Sequence, residues 1–471
     1  MKKLIAAICM ISILCSCNEN SKHVKDTKGD VTFEFTPVTG ADMENSVIYE
    51  ANIRQYSPEG TFDEFTKDIP QLRELGVKVI WLMPVFPISE TKRKATGGVE
   101  SKFASDFPEE EQSKYLGSYY AVTDFTQINP EFGTKEDFRE LINTAHDNGI
   151  YVILDWVPNH TGWDHEWIKN HPEYYTQNED GEIIHPEGTD WTDVADLNYD
   201  NLDMRKEMIE DMAYWVTEEG IDGFRCDVAA SVPVDFWETA IAELRSKKEL
   251  FMLAEASEAE LLKGNMFDMA YAWEGHSLLN EMAKGEKSVN DFDAYMEKMK
   301  REYEADDILM NFITNHDENS WNGTINERME NKKEVFTALI YTMPGMPLIY
   351  SGQEYDLDYR LKFFEKDSIP KERGEYFTLL TKLGELKNSN VALNGGKNGA
   401  SYKRLDAVED VLFFEREKKG NKVWFIGNFS DQPHNIMVPA GNYKNYIENN
   451  TIEVNVDTLK VAPWDFKILT N

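Results

Sequence analysis

Four short blocks place an acidic residue at or near the end of an apolar, strand-like run. They are Asp155-Trp156-Val157-Pro158-Asn159-His160, Gly223-Phe224-Arg225-Cys226-Asp227, Leu253-Ala254-Glu255 and Phe312-Ile313-Thr314-Asn315-His316-Asp317. A carboxylate at a buried strand end is costly unless it is paired or working. Four such ends, far apart in sequence, imply one shared site. Three carboxylates with two histidines and an arginine suit cleavage of a glycosidic bond: one acid protonates the leaving oxygen, and a second carboxylate attacks from the other side. Arg225 lies two residues before Asp227, so both side chains leave the same face of a strand. Its guanidinium is expected to hold Asp227 ionised, as a nucleophile requires. Glu255 follows apolar Phe251, Leu253 and Ala254, a setting expected to raise its pKa toward general-acid use.

Elements that could position these groups recur along the chain. β-rich runs fall at Val47–Gln55, Val77–Met83, Tyr151–Val157, Gly223–Val228, Leu250–Glu255, Phe267–Trp273, Leu309–Thr314 and Leu348–Ser351. Between them, Phe62–Leu75, Lys135–Asn148, Leu202–Thr217, Phe236–Ser246 and Lys333–Thr342 repeat apolar residues at helical spacing. Eight strand–helix units predict an α/β fold, a (β/α)8 TIM barrel over 46–385, whose strand C-termini converge on one working face. No Gly-x-Gly-x-x-Gly follows the first strand, which disfavours an open dinucleotide-binding sheet. Two connections exceed simple loops. Residues 88–117 read as a mobile rim. Residues 160–200, with Trp163, Trp167, Tyr174, Tyr175 and Trp191, read as a small subdomain inserted after the third strand. From 386 to 471, short runs (Val411–Glu415, Lys422–Asn428, Ile436–Val438, Leu459–Val461, Lys467–Leu469) between turn residues predict a C-terminal antiparallel β-sandwich.

The start of the chain reads as targeting. Lys2 and Lys3 precede an apolar stretch, Leu4 to Leu14, too short to span a bilayer stably. Leu14-Cys15-Ser16-Cys17 resembles a bacterial lipobox, which makes 1–16 a signal peptide and Cys17 the lipidation site. Residues 17–45 then form a tether and N-terminal segment. The expected location is the bacterial envelope, anchored in the outer membrane with a periplasmic or surface-exposed face. Of four cysteines only Cys17 and Cys226 would survive processing, so no disulfide framework is expected. The net charge of −36 opposes nucleic-acid binding and anionic substrates, and suits a neutral ligand such as a carbohydrate. The 57 aromatics could stack on sugar rings. The sequence carries no reading of oligomeric state.

Taken together, these blocks resemble the conserved regions of the α-amylase family, glycoside hydrolase family 13. Asp155 to His160 is similar to its Asp-x-Val-x-Asn-His region, Gly223 to Asp227 to its nucleophile region, Glu255 to its acid/base region, and Asn315-His316-Asp317 to its third-carboxylate region. Asp196-Leu197-Asn198, Tyr120-Ala121-Val122-Thr123-Asp124 and Gly345 to Glu354 are similar to further family motifs. The resemblance implies that Asp227 is the nucleophile, Glu255 the acid/base and Asp317 the stabiliser of the distorted sugar. It implies that His160, His316 and Asn315 meet the substrate, that Arg225 orients Asp227, that Tyr120 stacks beneath the sugar and that Asp155 is scaffold. Asn159 becomes a candidate oxygen ligand for calcium; no organic cofactor is expected. The expected substrates are starch, maltodextrins and maltooligosaccharides, and the motifs look most like maltodextrin-acting and neopullulanase-like members.

One departure stands beside the nucleophile: Val228-Ala229-Ala230-Ser231 replaces the Lys-His that many family members carry. Two other functions compete, a transglycosylase or isomerase with the same chemistry and a non-catalytic glycan-binding lipoprotein. A complete acid/base set argues against the second. Trp81 and Trp156 are read as core, His146 as structural, and Cys226 as packed outside the barrel lumen. Trp163, Trp191, Trp273 and Trp321 are candidates for lining a cleft.

Overall fold

In the computed structural model, residues 35–471 are described, apart from 99, 406 and 455–457. The signal and Cys17 lie outside the described residues. Eight parallel strands close a barrel: β1 (Val47–Ala51), β2 (Val77–Leu82), β3 (Tyr151–Trp156), β4 (Gly223–Cys226), β5 (Phe251–Ala254), β6 (Met269–Tyr271), β7 (Ile308–Asn311) and β8 (Met346–Tyr350). Each pairs with its sequence neighbours, and β8 returns to β1 through Ile48 opposite Leu348. The strands are shorter than the apolar runs suggest, because the runs continue into turns. Asn52, for example, ends the first run by accepting the Gln55 N–H at the start of a short helix.

Strand alternation divides the core into two layers. Ile48, Val79, Ile153, Leu253, Met269 and Leu348 fill the lumen. Tyr49, Ile80, Leu154, Phe224, Met252 and Ile349 face the surrounding helices. Cys226 belongs to this outer layer, buried and free. At Gly223 (φ +154°) an added Cβ would lie 1.8 Å from the Phe251 carbonyl oxygen. Glycine therefore lets β4 and β5 approach where the strand leading to Asp227 begins.

Helices Leu202–Thr217 and Lys333–Thr342 match the periodicity. The expected helix over 62–75 is instead two pieces, Phe62–Thr66 and Ile69–Glu74. Pro70 cannot donate a hydrogen bond and crowds the preceding turn, so the helix restarts there. The inserted segment carries a two-stranded ribbon, His160–Gly162 against Val194–Asp196. The 88–117 connection is fastened to that insert. Asp164 accepts hydrogen bonds from the Glu90 and Thr91 amides and from Ser89 Oγ, and Lys92 lies over the Trp163 ring at 3.5 Å.

Helix Glu375–Ser389 runs across residue 386 and leads into the C-terminal part. There a six-stranded antiparallel sheet packs one face on the barrel through Leu412, Phe414 and Phe425. The other face meets a two-stranded sheet, His434–Met437 with Thr458–Val461, through Phe413, Ile426, Ile436 and Val461. Strands Gly441–Asn445 and Asn450–Val454 were not legible as apolar runs, because in each only the last residue, Asn445 or Val454, is buried.

Candidate active site

The inward positions at the C-terminal ends of the strands change from apolar to polar. Glu50 follows Ile48 on β1, Trp81 follows Val79 on β2, Asp155 follows Ile153 on β3, and Arg225 follows Gly223 on β4. Glu255 and Tyr271 continue the inward rows of β5 and β6. One layer of a packed barrel thus becomes a charged floor.

Arg225 is the hub of that floor and is fully buried. Its Nη1 donates to Asp155 Oδ1 at 2.9 Å and to Asp227 Oδ1 at 2.8 Å. Its Nη2 lies 2.9 Å from Glu255 Oε2, an ion pair without hydrogen-bond alignment. Nε donates to Tyr271 Oη, and the guanidinium sits 4.8 Å over the Trp81 ring. Trp81 Nε1 and Tyr120 Oη both donate to Asp155 Oδ2, at 3.1 and 3.3 Å. Asp155 is therefore saturated by partners and is scaffold, with Trp81 part of the same support.

Burial raises the pKa of both Asp227 and Glu255, and Arg225 opposes it. Asp227 is lifted to about 6 and Glu255 to about 7, the latter helped by the charges of Asp227 and Asp317. Desolvation is the larger effect at this depth, and the opposing charge of Arg225 keeps Asp227 ionised at neutral pH. Glu255 therefore keeps its proton to higher pH than Asp227.

Val228 explains the departure beside the nucleophile. It adopts a left-handed backbone (φ 36°), rare for a β-branched residue and a mark of local strain. In that conformation its N–H donates to Glu255 Oε2 at 2.8 Å, and Ala229–Ser231 then forms a single 3-10 turn. The segment meets Glu255 through its backbone: Val228 N–H on the carboxylate and Ala229 N–H on the main-chain carbonyl.

Glu50 is a site residue that the motifs did not reveal. Its Oε1 accepts from the Nδ1 of His316, and from the His316 backbone N–H at 3.3 Å. Tyr120 Oη lies 2.8 Å from His316 Nε2, and Asp317 Oδ2 lies 3.5 Å from the same atom. Burial disfavours charge on the imidazole, but Asp317 and Glu50 outweigh it and lift His316 to about 9. At neutral pH both ring nitrogens then donate, one to Glu50 and one to Tyr120. The only sequence signal for Glu50 was an acid inside an otherwise apolar strand.

The contacts join Asp227, Glu255, Arg225, Asp155, Tyr120, His316 and Asp317 into one network. His160 lies on the insert ribbon, against Trp191 with ring centroids 5.6 Å apart, and burial holds it neutral with a pKa of about 3. Asn315 is fully buried and its Oδ1 accepts the Glu318 N–H, so it shapes the turn that presents His316 and Asp317 and offers no surface to substrate. Trp163 donates to the Thr192 carbonyl within the insert, and Trp273 packs on Phe312. His146 pairs with buried Asp222.

Two of the polar groups of Asn159 are already engaged within the insert. Its amide nitrogen faces His160 at 3.3 Å, and its backbone carbonyl takes the Leu197 N–H. Among the described residues no group of three or more Asp, Glu, His or Cys side chains is arranged to hold a metal ion, whereas calcium takes six to eight oxygens.

The family model described as "Alpha amylase, catalytic domain" matches residues 21–191 and 188–375. The chain belongs to the α-amylase family. Within that family it is 25% identical over 448 residues to the α-amylase MalA of Haloarcula japonica, covering 90% of this chain and 62% of that protein. It thus spans less than two thirds of that relative's length. Among solved structures, the α-amylase of Lactobacillus plantarum is 27% identical with a TM-score of 0.80, over 92% of this chain and all of that one. The noncanonic maltogenic α-amylase AmyB of Thermotoga neapolitana has the same identity and score, over 91% of this chain and 99% of that one. The barrel and the C-terminal antiparallel sheets of this family member agree with the fold expected from its sequence.

Proposed function

We propose that the protein is a retaining glycosidase that cleaves α-1,4-glucosidic bonds of starch, maltodextrins or maltooligosaccharides. The observation that carries this reading is the single buried guanidinium of Arg225 contacting both Asp227 and Glu255. It keeps two carboxylates close together at the floor of the barrel mouth. A separation of about 5–5.5 Å is what double displacement uses. Asp227 attacks the anomeric carbon while Glu255 gives its proton to the leaving oxygen, and a glycosyl–Asp227 ester forms. Glu255, now a base, takes a proton from water, which attacks the same carbon and releases Asp227. Asp317 and His316 hold the distorted sugar ring, and Tyr120 supports its face.

The chain is further proposed to be exported and anchored to the bacterial outer membrane by a lipid on Cys17. The lipobox-like Leu14-Cys15-Ser16-Cys17 supports this, and detergent-phase partitioning lost in Cys17→Ser would bear it out.

The deciding test of the reaction incubates the protein with starch, pullulan and maltotriose and follows the products by chromatography and by NMR of the new reducing end. The expected products are shorter α-glucans released first as the α-anomer. A β-anomer first would overturn retention, and products longer than the substrate would reassign the chain to transglycosylation.

A further inference from the structure

Trp321 is 43% exposed, and it is the one aromatic among the strongly exposed large apolar side chains of the described residues. An exposed tryptophan held on a loose loop means little, since single surface apolar residues are common. This one is held firmly. It lies in the π-helical turn Glu318–Asn322, immediately after Asp317, and such turns gather at functional sites. The turn is sewn to the segment after β8. Asn319 Oδ1 accepts the Leu361 N–H at 2.8 Å, Asn319 Nδ2 donates to the Tyr359 carbonyl, and Ser320 Oγ donates to the Leu361 carbonyl. Beneath it, Glu318 is buried and paired with His276 at 3.1 Å.

The ring also has a direction. Its centroid lies 5.1 Å from that of half-buried Phe363, and Phe363 lies 6.4 Å from Tyr120 with the two planes only 13° apart. Tyr120 in turn donates to Asp155 and contacts His316 in the catalytic network. Three aromatic rings therefore run outward from the reacting centre to the rim. Gly97 on the 88–117 connection closes against the far edge of the indole; a Cβ there would lie 2.8 Å from it. The rim is shaped around this ring, yet nearly half of the residue stays in water.

We propose that Trp321, backed by Phe363, is a sugar-binding subsite outward of Tyr120, which takes one glucose unit of a longer α-glucan by stacking. This rests on the glucan reading above. A neutral sugar presents an apolar face, and a ring already fixed in place loses little freedom on binding it. The subsite favours chains long enough to reach it and is silent for short ones.

The test compares wild type, Trp321→Ala and Trp321→Phe on maltotriose and on maltoheptaose, with thermal melts as a control of folding. For Trp321→Ala, KM on maltoheptaose should rise roughly five- to tenfold with kcat little changed, while maltotriose kinetics stay at the wild-type level. Trp321→Phe should recover most of the loss. An equal loss on both substrates, or no change on either, overturns the subsite. A wild type inactive on both overturns the glucan reading and the subsite with it; an active wild type with an unaffected alanine variant overturns the subsite alone.

Discussion

Two buried arginines use the same side chain in opposite ways. Arg225 faces three carboxylates, and these hold its charge well above the ordinary guanidinium range against the cost of burial. Arg416, on strand Val411–Lys418, has no carboxylate in contact among the described residues. Its nitrogens donate to the carbonyls of Met343, Asn394 and Ala400 at 2.8–3.0 Å, and burial pushes it down to about 9. Carbonyl dipoles satisfy donors without supplying charge. Arg416 is therefore a staple between the C-terminal sheet and the segment leading into β8. Arg225 is a charged hub that ties three acids together at the barrel mouth. What surrounds a buried arginine, not its burial, decides whether it serves stability or chemistry.

The comparison can be broken in four ways. The largest effect is expected at Asp227: Asp227→Asn should lower kcat by roughly 10⁴-fold or more while the protein still melts near the wild-type temperature. Turnover near the wild-type rate would sink the nucleophile assignment. Next comes the direct contrast between the arginines. Arg225→Met should lower kcat/KM by roughly 10²–10³-fold, measured on folded protein. Arg416→Met should instead cost about 3 kcal/mol of stability, because its hydrogen bonds to the carbonyls of Met343, Asn394 and Ala400 are lost, and should leave kcat within about twofold. Equal losses of kcat/KM in the two variants would erase the distinction between staple and hub.

A smaller effect belongs to proton balance. Activity needs Asp227 ionised and Glu255 protonated, so kcat/KM should fall as pH drops below about 6 and as it rises above about 7. His316 faces Glu50, Asp317, Tyr120 and Arg225, and its charge is lost only as pH rises through about 9. Glu50→Gln removes one of the two acids that raise it. Its pKa should fall from about 9, read from the pH dependence of the His316 imidazole signals by NMR, with kcat/KM dropping by roughly tenfold. An unmoved imidazole titration would make Glu50 a packing residue. The smallest effect is expected from EDTA, which should leave activity and melting temperature unchanged; a clear loss would show a metal site that the donors around Asn159 do not display.

The main carboxylates were legible because chemistry forces an unusual pattern, an acid closing an apolar run. Asp155, Asp227 and Glu255 announced themselves this way, and the alternation of strands with helical stretches announced the barrel. Glu50 was not legible, since one acid inside an apolar strand looks the same whether it meets solvent or a histidine. The role of Asn315 was misread because its motif lies beside the site while its side chain turns back to hold the Glu318 amide. The break at Pro70 was written in the sequence but outweighed by the apolar spacing around it.

By itself, then, the sequence determined which residue types stand at the strand ends and in what order, because strand alternation sends every second side chain inward whatever the rest of the chain does. It could not determine which of those groups meet. That Arg225 contacts three acids drawn from three strands, that Glu50 charges a histidine 266 residues away, and that Val228 bends to point its amide at Glu255 were decided only when the barrel closed. Barrel closure fixes the shear between strands, and with it the height at which each inward group stands. Groups at equal height touch, and burial then sets their charges together.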